Sequence, residues 1–316
     1  MSPDARSDLI DFAHRSIVRG SKSFALASRI FDRTTRERVW LLYAWCRACD
    51  DLADAQDHGG PLGRQASPEA RLATIRALTD LAMAGEATGD PAFDALGVVA
   101  RECGITRAMT EDVVAGFALD AADWQPRSEA DMLRYCFHVA GAVGVMMAVV
   151  MGVDPQDDDT LDRACDLGIA FQLGNVARDL SEDDCAARCY LPADWLAEAD
   201  IPPGEQMKPH YRSALLPLVG RLCALATTYQ ASARVGARRL PFRARWAVLA
   251  AAGIYGAIAE KVRDGGAHAW DRRVSTTTGA KLGHVCGGLF GSLKPSREQG
   301  TKPALSRREL SDLARA

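Results

Sequence analysis

Arg47-Ala48-Cys49-Asp50-Asp51-Leu52-Ala53-Asp54 and, farther along, Asn175-Val176-Ala177-Arg178-Asp179-Leu180-Ser181-Glu182-Asp183 carry the sequence's strongest signal. In each stretch, carboxylates stand four residues apart inside a segment that otherwise reads as an apolar helix. Residues so spaced lie one above the other, about 6 Å apart along the axis. Wound at about 100° per residue, Tyr43, Arg47, Asp50 and Asp54 share an arc of about 60°, and Gln172, Asn175, Asp179 and Asp183 one of about 80°. Val39 and Cys46 border the first arc, and Ile169, Val176 and Leu180 lie beside the second. A solvated acidic face would lie opposite the apolar residues. These stripes lie among them, so they are expected to line a cavity. Buried carboxylates are costly unless compensated, and a hard divalent cation such as Mg²⁺ is the simplest compensation for several at once. Taken alone, either cluster would also suit a solvated helix.

Working outward, helical patterns dominate and alternating β-branched runs are missing. The spacing predicts helices over about 5–19, 21–30, 33–54, 67–84, 91–103, 107–121, 128–152, 157–183, 192–199, 208–235, 241–264 and 276–290. Asp32 and Thr106 are expected N-caps. The breaks, at His58-Gly59-Gly60-Pro61, Thr88-Gly89-Asp90-Pro91, Gly152-Val153-Asp154-Pro155 and Ile201-Pro202-Pro203-Gly204, are too short to be interdomain linkers. One all-α domain is expected over residues 1–290, followed by a polar, mobile tail over 291–316.

The composition excludes several classes. A formal charge of −3 gives no electrostatic signature for nucleic acid. Nine scattered cysteines fit a reducing compartment better than a disulfide framework, and the Cys46/Cys49 pair lacks the second pair a zinc site needs. The start of the chain has no apolar signal core. The longest uncharged apolar stretches, 139–153 and 246–259, fall short of the roughly 20 residues that span a bilayer and read instead as buried helices.

Paired acidic helices facing one cavity suit the ionisation of a diphosphate ester, in which metal ions neutralise the leaving group. Further segments then narrow the class. Gly20-Ser21-Lys22-Ser23-Phe24, Tyr43 to Asp51, Tyr135 to Gly144, Phe171 to Asp179, Arg188-Cys189-Tyr190-Leu191-Pro192 and Ala269 to Thr276 together resemble the squalene/phytoene synthase family, in order, from about residue 10 to 290. The resemblance implies an isoprenoid-synthase helical fold with a central channel. It also implies head-to-head (1′–1) condensation of two geranylgeranyl diphosphates to phytoene, the first committed step of carotenoid biosynthesis.

Carried over by position, Asp50, Asp54, Asp179 and Asp183 would bind Mg²⁺, with Mn²⁺ as a substitute and Asn175 beside them. Arg47, Arg178, Lys22 and Arg273 would contact diphosphate oxygens, and Tyr43 and Gln172 would line the reacting end. Ser21 and Ser23 would sit on a flap over the second diphosphate, and Tyr135 on a channel wall. Arg178 lies off the polar arc, so it either reaches phosphate from the side or pairs with a neighbouring carboxylate. Asp120 matches an acid of the family without a definite role. Ser21-Lys22-Ser23 by itself reads as a helix N-terminus.

Three rivals remain: the C15 version of the reaction, giving squalene or dehydrosqualene; a chain-elongating prenyltransferase or cyclase; and a non-catalytic scaffold. Small residues at Ala25, Ala27 and Ser28 leave room for the longer tail and favour C20. No NADPH is expected. A C40 hydrocarbon does not leave through water, so a cytoplasmic enzyme peripherally bound to a membrane surface is expected. Its basic tail would help it bind, and other carotenoid enzymes would be its partners.

Overall fold

In the computed structural model, residues 3–54, 56–57, 60–61, 67–293 and 303–312 are described, and their regular structure is helical apart from a two-residue antiparallel pair, Gln56–Asp57 with Gly60–Pro61. The opening helices are α1 (Pro3–Gly20), α2 (Lys22–Ser28) and α3 (Arg33–Ala53). They are followed by α4 (Pro68–Ala84), α5 (Pro91–Cys103) and α6 (Arg107–Ala121). Local chemistry sets their limits. Asp32 accepts from the Thr35 amide at 3.0 Å and Thr106 from that of Met109 at 3.4 Å, as expected. Proline opens α4 and α5, and left-handed Gly85 and Gly104 close them.

Next, α7 (Glu129–Cys136) and α8 (Ala142–Val150) run on as one rod through a π turn at Phe137–Gly141 that the sequence pattern does not announce. Packing explains the wide turn. Within it, the buried His138 Nδ1–H donates to the Asp112 carbonyl on α6 at 2.7 Å, while Gly116 leaves space for Val139. By length and composition the Glu129–Val150 rod is apolar enough to cross a membrane, but two-thirds of its apolar window is buried inside the protein. Gly141 and Gly144 bring it against α9 (Asp158–Cys185), where Gly168 meets the Ala140 backbone.

The second half holds α10 (Ala193–Glu198), α11 (Arg212–Ala237), α12 (Phe242–Gly265) and α13 (Thr278–Leu293). The expected helix at 208–235 begins instead with a separate 3₁₀ turn, Pro209–Tyr211. α9 is central, packing on α8, α11 and α12, while α3 packs on α1 and α5. Trp45, Phe93, Phe137 and Trp195 are among the largest fully buried side chains.

Within the segment expected to be a mobile tail, α14 (Arg307–Asp312) docks on α7 and the π turn, while 294–302 and 313–316 lie outside the described residues. Leu310 is completely buried. Arg307 bonds Asp158 at 2.6 Å and Asp162 at 3.2 Å, Arg308 pairs with Asp158, and the Ser311 hydroxyl donates to Asp112 at 3.1 Å. A buried leucine and ion pairs with the acidic start of α9 offset the entropy that a free tail would keep. Lys294, Arg297, Lys302 and Arg315 lie outside the described residues.

Candidate active site

A cavity of about 390 Å³ runs between α2, α3, α6, α8, α9, α11 and α12. Tyr43 and Asp50 reach it from α3, and Gln172 and Asn175 from α9; the rest of its wall is mostly apolar. Half of each polar stripe thus faces a common recess, while Arg47, Asp54, Asp179 and Asp183 are not among the residues that line it. Asp50 keeps accessible surface, but that surface faces the recess. Burial, and then the neighbouring Asp54, Asp51 and Asp120, push its carboxyl up to about 7, against the pull of Arg47.

Asp54 caps the C-terminus of α3 and faces Arg188 at 3.6 Å. On α9, Asp179 accepts from Arg178 Nε at 2.7 Å and from Arg273 at 3.2 Å. The off-arc Arg178 thus pairs with a carboxylate. Trp270 anchors the Arg273 segment by donating its indole N–H to the Ala177 carbonyl at 2.9 Å. Asp183 is pushed up to about 7, by burial first and then by Asp179. Arg47 bonds Asp51 at 3.1 Å. Asn175 donates to Gln172 at 3.4 Å.

The Gly20–Phe24 segment closes over Tyr43. A Cβ on Gly20 would overlap the Tyr43 hydroxyl, so only glycine lets α1 end there. Ser21 caps α2 by accepting from the Phe24 amide at 3.2 Å, which is its local reading as a helix start, and Lys22 is exposed beside it. Ser23 lies in α2, but its side chain is outside the described residues. Burial, with a contribution from Asp50, raises the Tyr43 hydroxyl to about 12, so it stays protonated as a donor.

Tyr135 stands apart from this constellation. It is buried rather than lining the cavity; its hydroxyl donates to Asp120 at 3.0 Å and its ring stacks on Tyr190 at 4.8 Å. Burial, opposed by that hydrogen bond and by Arg188, raises Asp120 to about 6. Arg188 therefore stands in the field of Asp54, Asp120 and Asp183, a hub to which sequence reasoning gave no role. It is aimed there by a tight turn with Ala187 at φ 58°, and its amide donates to the Asp183 carbonyl at 2.8 Å. Also missed was an aromatic stack in the cavity: Tyr255 lies 4.2 Å from Phe171 and 5.6 Å from Phe24.

The donors suit a hard cation: they are oxygens, and Asp50 and Asp183 are strained by like-charged neighbours. Among the described residues, no three His, Cys, Asp or Glu side chains converge closely enough to hold an ion alone. Mg²⁺ is commonly held by one or two carboxylates with substrate phosphates and water supplying the rest, so the split set fits ions that arrive with a diphosphate.

Comparison with known proteins agrees. The squalene/phytoene synthase family model matches residues 17–280. A phytoene synthase of Pseudescherichia vulneris is 47% identical over 87% of this chain and 89% of its own length. A 15-cis-phytoene synthase of Pantoea ananas is 46% identical over the same shares. Among solved structures, a ligand-bound dehydrosqualene synthase superposes with TM-score 0.79 at 25% identity, covering 90% of this chain and 96% of the other. The squalene synthase HpnC of Alicyclobacillus acidocaldarius shares the fold, with TM-score 0.74 at 20% identity over 84% and 97%. A match across most of the chain, with both acidic helices on one cavity, leaves one conclusion: the chain belongs to the squalene/phytoene synthase family.

Proposed function

We propose that this enzyme is a prenyltransferase that joins two geranylgeranyl diphosphates head to head to form phytoene. What supports the reading is an otherwise apolar cavity into which Asp50 reaches from α3 and Asn175 from α9, the two helices that bear the acidic clusters. Identity of 46–47% to phytoene synthases, against 25% to the dehydrosqualene synthase, favours the C20 substrate over C15.

In this reading Asp50, Asp54, Asp179 and Asp183, with Asn175, would hold Mg²⁺, for which Mn²⁺ would substitute, and the metal when bound would supply charge neutralisation for the diphosphate leaving group. Lys22, Arg178 and Arg273 contribute charge at the diphosphate oxygens, and Arg47 does so from its pair with Asp51. Arg188 pairs with Asp54 and lends positive charge to Asp120. One diphosphate leaves, and the C2–C3 double bond of the second prenyl chain attacks the allylic cation. The resulting cation closes a cyclopropane ring as it loses a proton, and the cyclopropylcarbinyl diphosphate so formed releases the second diphosphate, rearranges and loses a second proton. Phe24, Phe171 and Tyr255 present π faces where positive charge must be tolerated, and the apolar wall excludes water. Tyr43 donates a hydrogen bond at the reacting end.

The C40 product favours a cytoplasmic enzyme resting peripherally on a membrane, handing phytoene to other carotenoid enzymes. Purified protein given C20 or C15 diphosphate with Mg²⁺ and no NADPH should yield phytoene from C20. Dehydrosqualene as the main product would move the assignment to the C15 reaction, and a strict need for NADPH would move it to squalene synthesis.

A further inference from the structure

Past Thr278, the exposed side chains of helix α13 are all apolar or small. Its exposed residues are Thr278, at the N-terminus, then Gly279, Leu282, Gly283, Cys286, Gly287, Phe290 and Leu293. Past Thr278 they recur at helical spacing along one stripe. Leu282 is 53% exposed, Phe290 67% and Leu293 66%, three of the five large apolar side chains exposed among the described residues. A fourth, Phe242 at 45%, opens α12 beside the end of α13, where Arg245 donates to the Ser292 carbonyl at 3.2 Å. The opposite side of α13 is seated on α12: the Trp246 indole N–H donates to the Val285 carbonyl at 2.7 Å, and Gly288 lies against the Ala250 backbone. The stripe is therefore held outward by a fixed helix.

We propose that this face of α13, with Phe242, is the surface that enters the headgroup layer of an anionic membrane. Charge selects that occupant. α13 contains no carboxylate; it carries Lys281, with Arg243 exposed on the neighbouring α12 and Lys294 and Arg297 following in sequence. Cations bordering an apolar stripe complement anionic lipid. In a symmetric pairing of two copies across this face, the same cations would meet their own images. Segment 294–302, Lys-Pro-Ser-Arg-Glu-Gln-Gly-Thr-Lys, has no apolar side chain larger than proline with which to cover the stripe. From Leu282 to Leu293 the stripe runs about 16 Å, so a helix lying in the interface plane would immerse all of it. Only α12 separates this face from the cavity, to whose wall α12 gives Ala247, Val248, Ala251 and Tyr255. The proposal rests on the reading that substrate and product are long-chain isoprenoids. It assigns docking to α13 in place of the tail, whose Arg307 and Arg308 are already held by Asp158.

The test uses the full chain and vesicles of phosphatidylcholine alone or with phosphatidylglycerol. Wild type should float with the anionic vesicles, less so at high salt. The variant Leu282→Ser/Phe290→Ser/Leu293→Ser, which changes exposed side chains, should lower binding by more than about tenfold while keeping the melting temperature. In a Cys185→Ser background, an environment-sensitive fluorophore on exposed Cys286 should shift to the blue on anionic vesicles. Turnover of detergent-dispersed geranylgeranyl diphosphate should be equal in both proteins. If the triple variant floats as well as wild type, or the fluorophore does not shift, the proposal is wrong. If wild type does not float but forms dimers that the variant abolishes, the face belongs to a second copy and the proposal also falls. Flotation without phytoene formation in detergent would instead overturn the proposed reaction and leave the docking face standing.

Discussion

Two glycines six residues apart on α9 should respond to the same substitution with opposite signs. A Cβ on Gly168 would overlap the Ala140 carbonyl oxygen and stand 2.6 Å from its carbon and 2.8 Å from Gly141 Cα. Those are backbone atoms of the π turn, well inside ordinary contact, so α9 and the α7–α8 rod would have to part. Overpacking of this kind costs about 1–3 kcal/mol, with the upper end expected where backbone must move. The helix propensity of alanine returns up to about 1 kcal/mol of it. A Cβ on Gly174 would meet nothing within 4 Å, so that site should show only the propensity gain, about 0.5–1 kcal/mol. At the roughly 2–4 °C per kcal/mol of chains of about 150–250 residues, Gly168→Ala should melt about 2–8 °C lower and Gly174→Ala about 1–4 °C higher. Thermal unfolding followed by far-ultraviolet circular dichroism reads both. If the two variants shift in the same direction, close approach at Gly168 is not what holds this interface.

Asp50→Asn and Asp179→Asn should each abolish phytoene formation while leaving the helical circular dichroism unchanged; Mg²⁺-dependent turnover near wild type would remove that residue from the site. Ala187→Gly should raise stability by about 1 kcal/mol, because the alanine occupies a left-handed conformation that glycine adopts freely, and an unchanged or lower melting temperature would contradict this. Burial raises the Glu37 and Glu102 carboxyls, but hydrogen bonds from Arg33 and Arg6 to the first, and from Arg6 and Arg38 to the second, outweigh it and hold both below the usual 4.5. Their contribution should be complete above about pH 4.5 and disappear as pH falls through the lowered folded values. Arg6→Gln should therefore flatten the acid limb of a stability–pH curve measured by urea unfolding, and parallel curves would sink the idea.

Helical periodicity made the centre of the site legible. Tyr43, Asp50, Gln172 and Asn175 reach one cavity because an i, i+4 pattern fixes a direction as well as a helix. Caps such as Asp32 and Thr106 were equally local. What stayed hidden depends on contacts between distant segments. The hydrogen bond from Tyr135 to Asp120 turns Tyr135 away from the cavity, and Arg188 finds its acids through a turn and two other helices. The π turn answers to Gly116 and Asp112 on α6. The tail read as mobile because its polar composition says nothing of acids waiting at the start of α9.

The docking of α14 also imposes an order on biosynthesis. Arg307 must find Asp158, made 149 residues earlier, and Ser311 must find Asp112, made 199 residues earlier. At about 5–20 residues per second, some 7–30 s pass between the synthesis of Asp158 and that of Arg307. Throughout that interval Asp158 lacks the two arginines that bond it, and the seat for Leu310 stands open. A nascent chain is thus marked as unfinished, with an apolar opening that a chaperone or protease can read until the last helix arrives to close it.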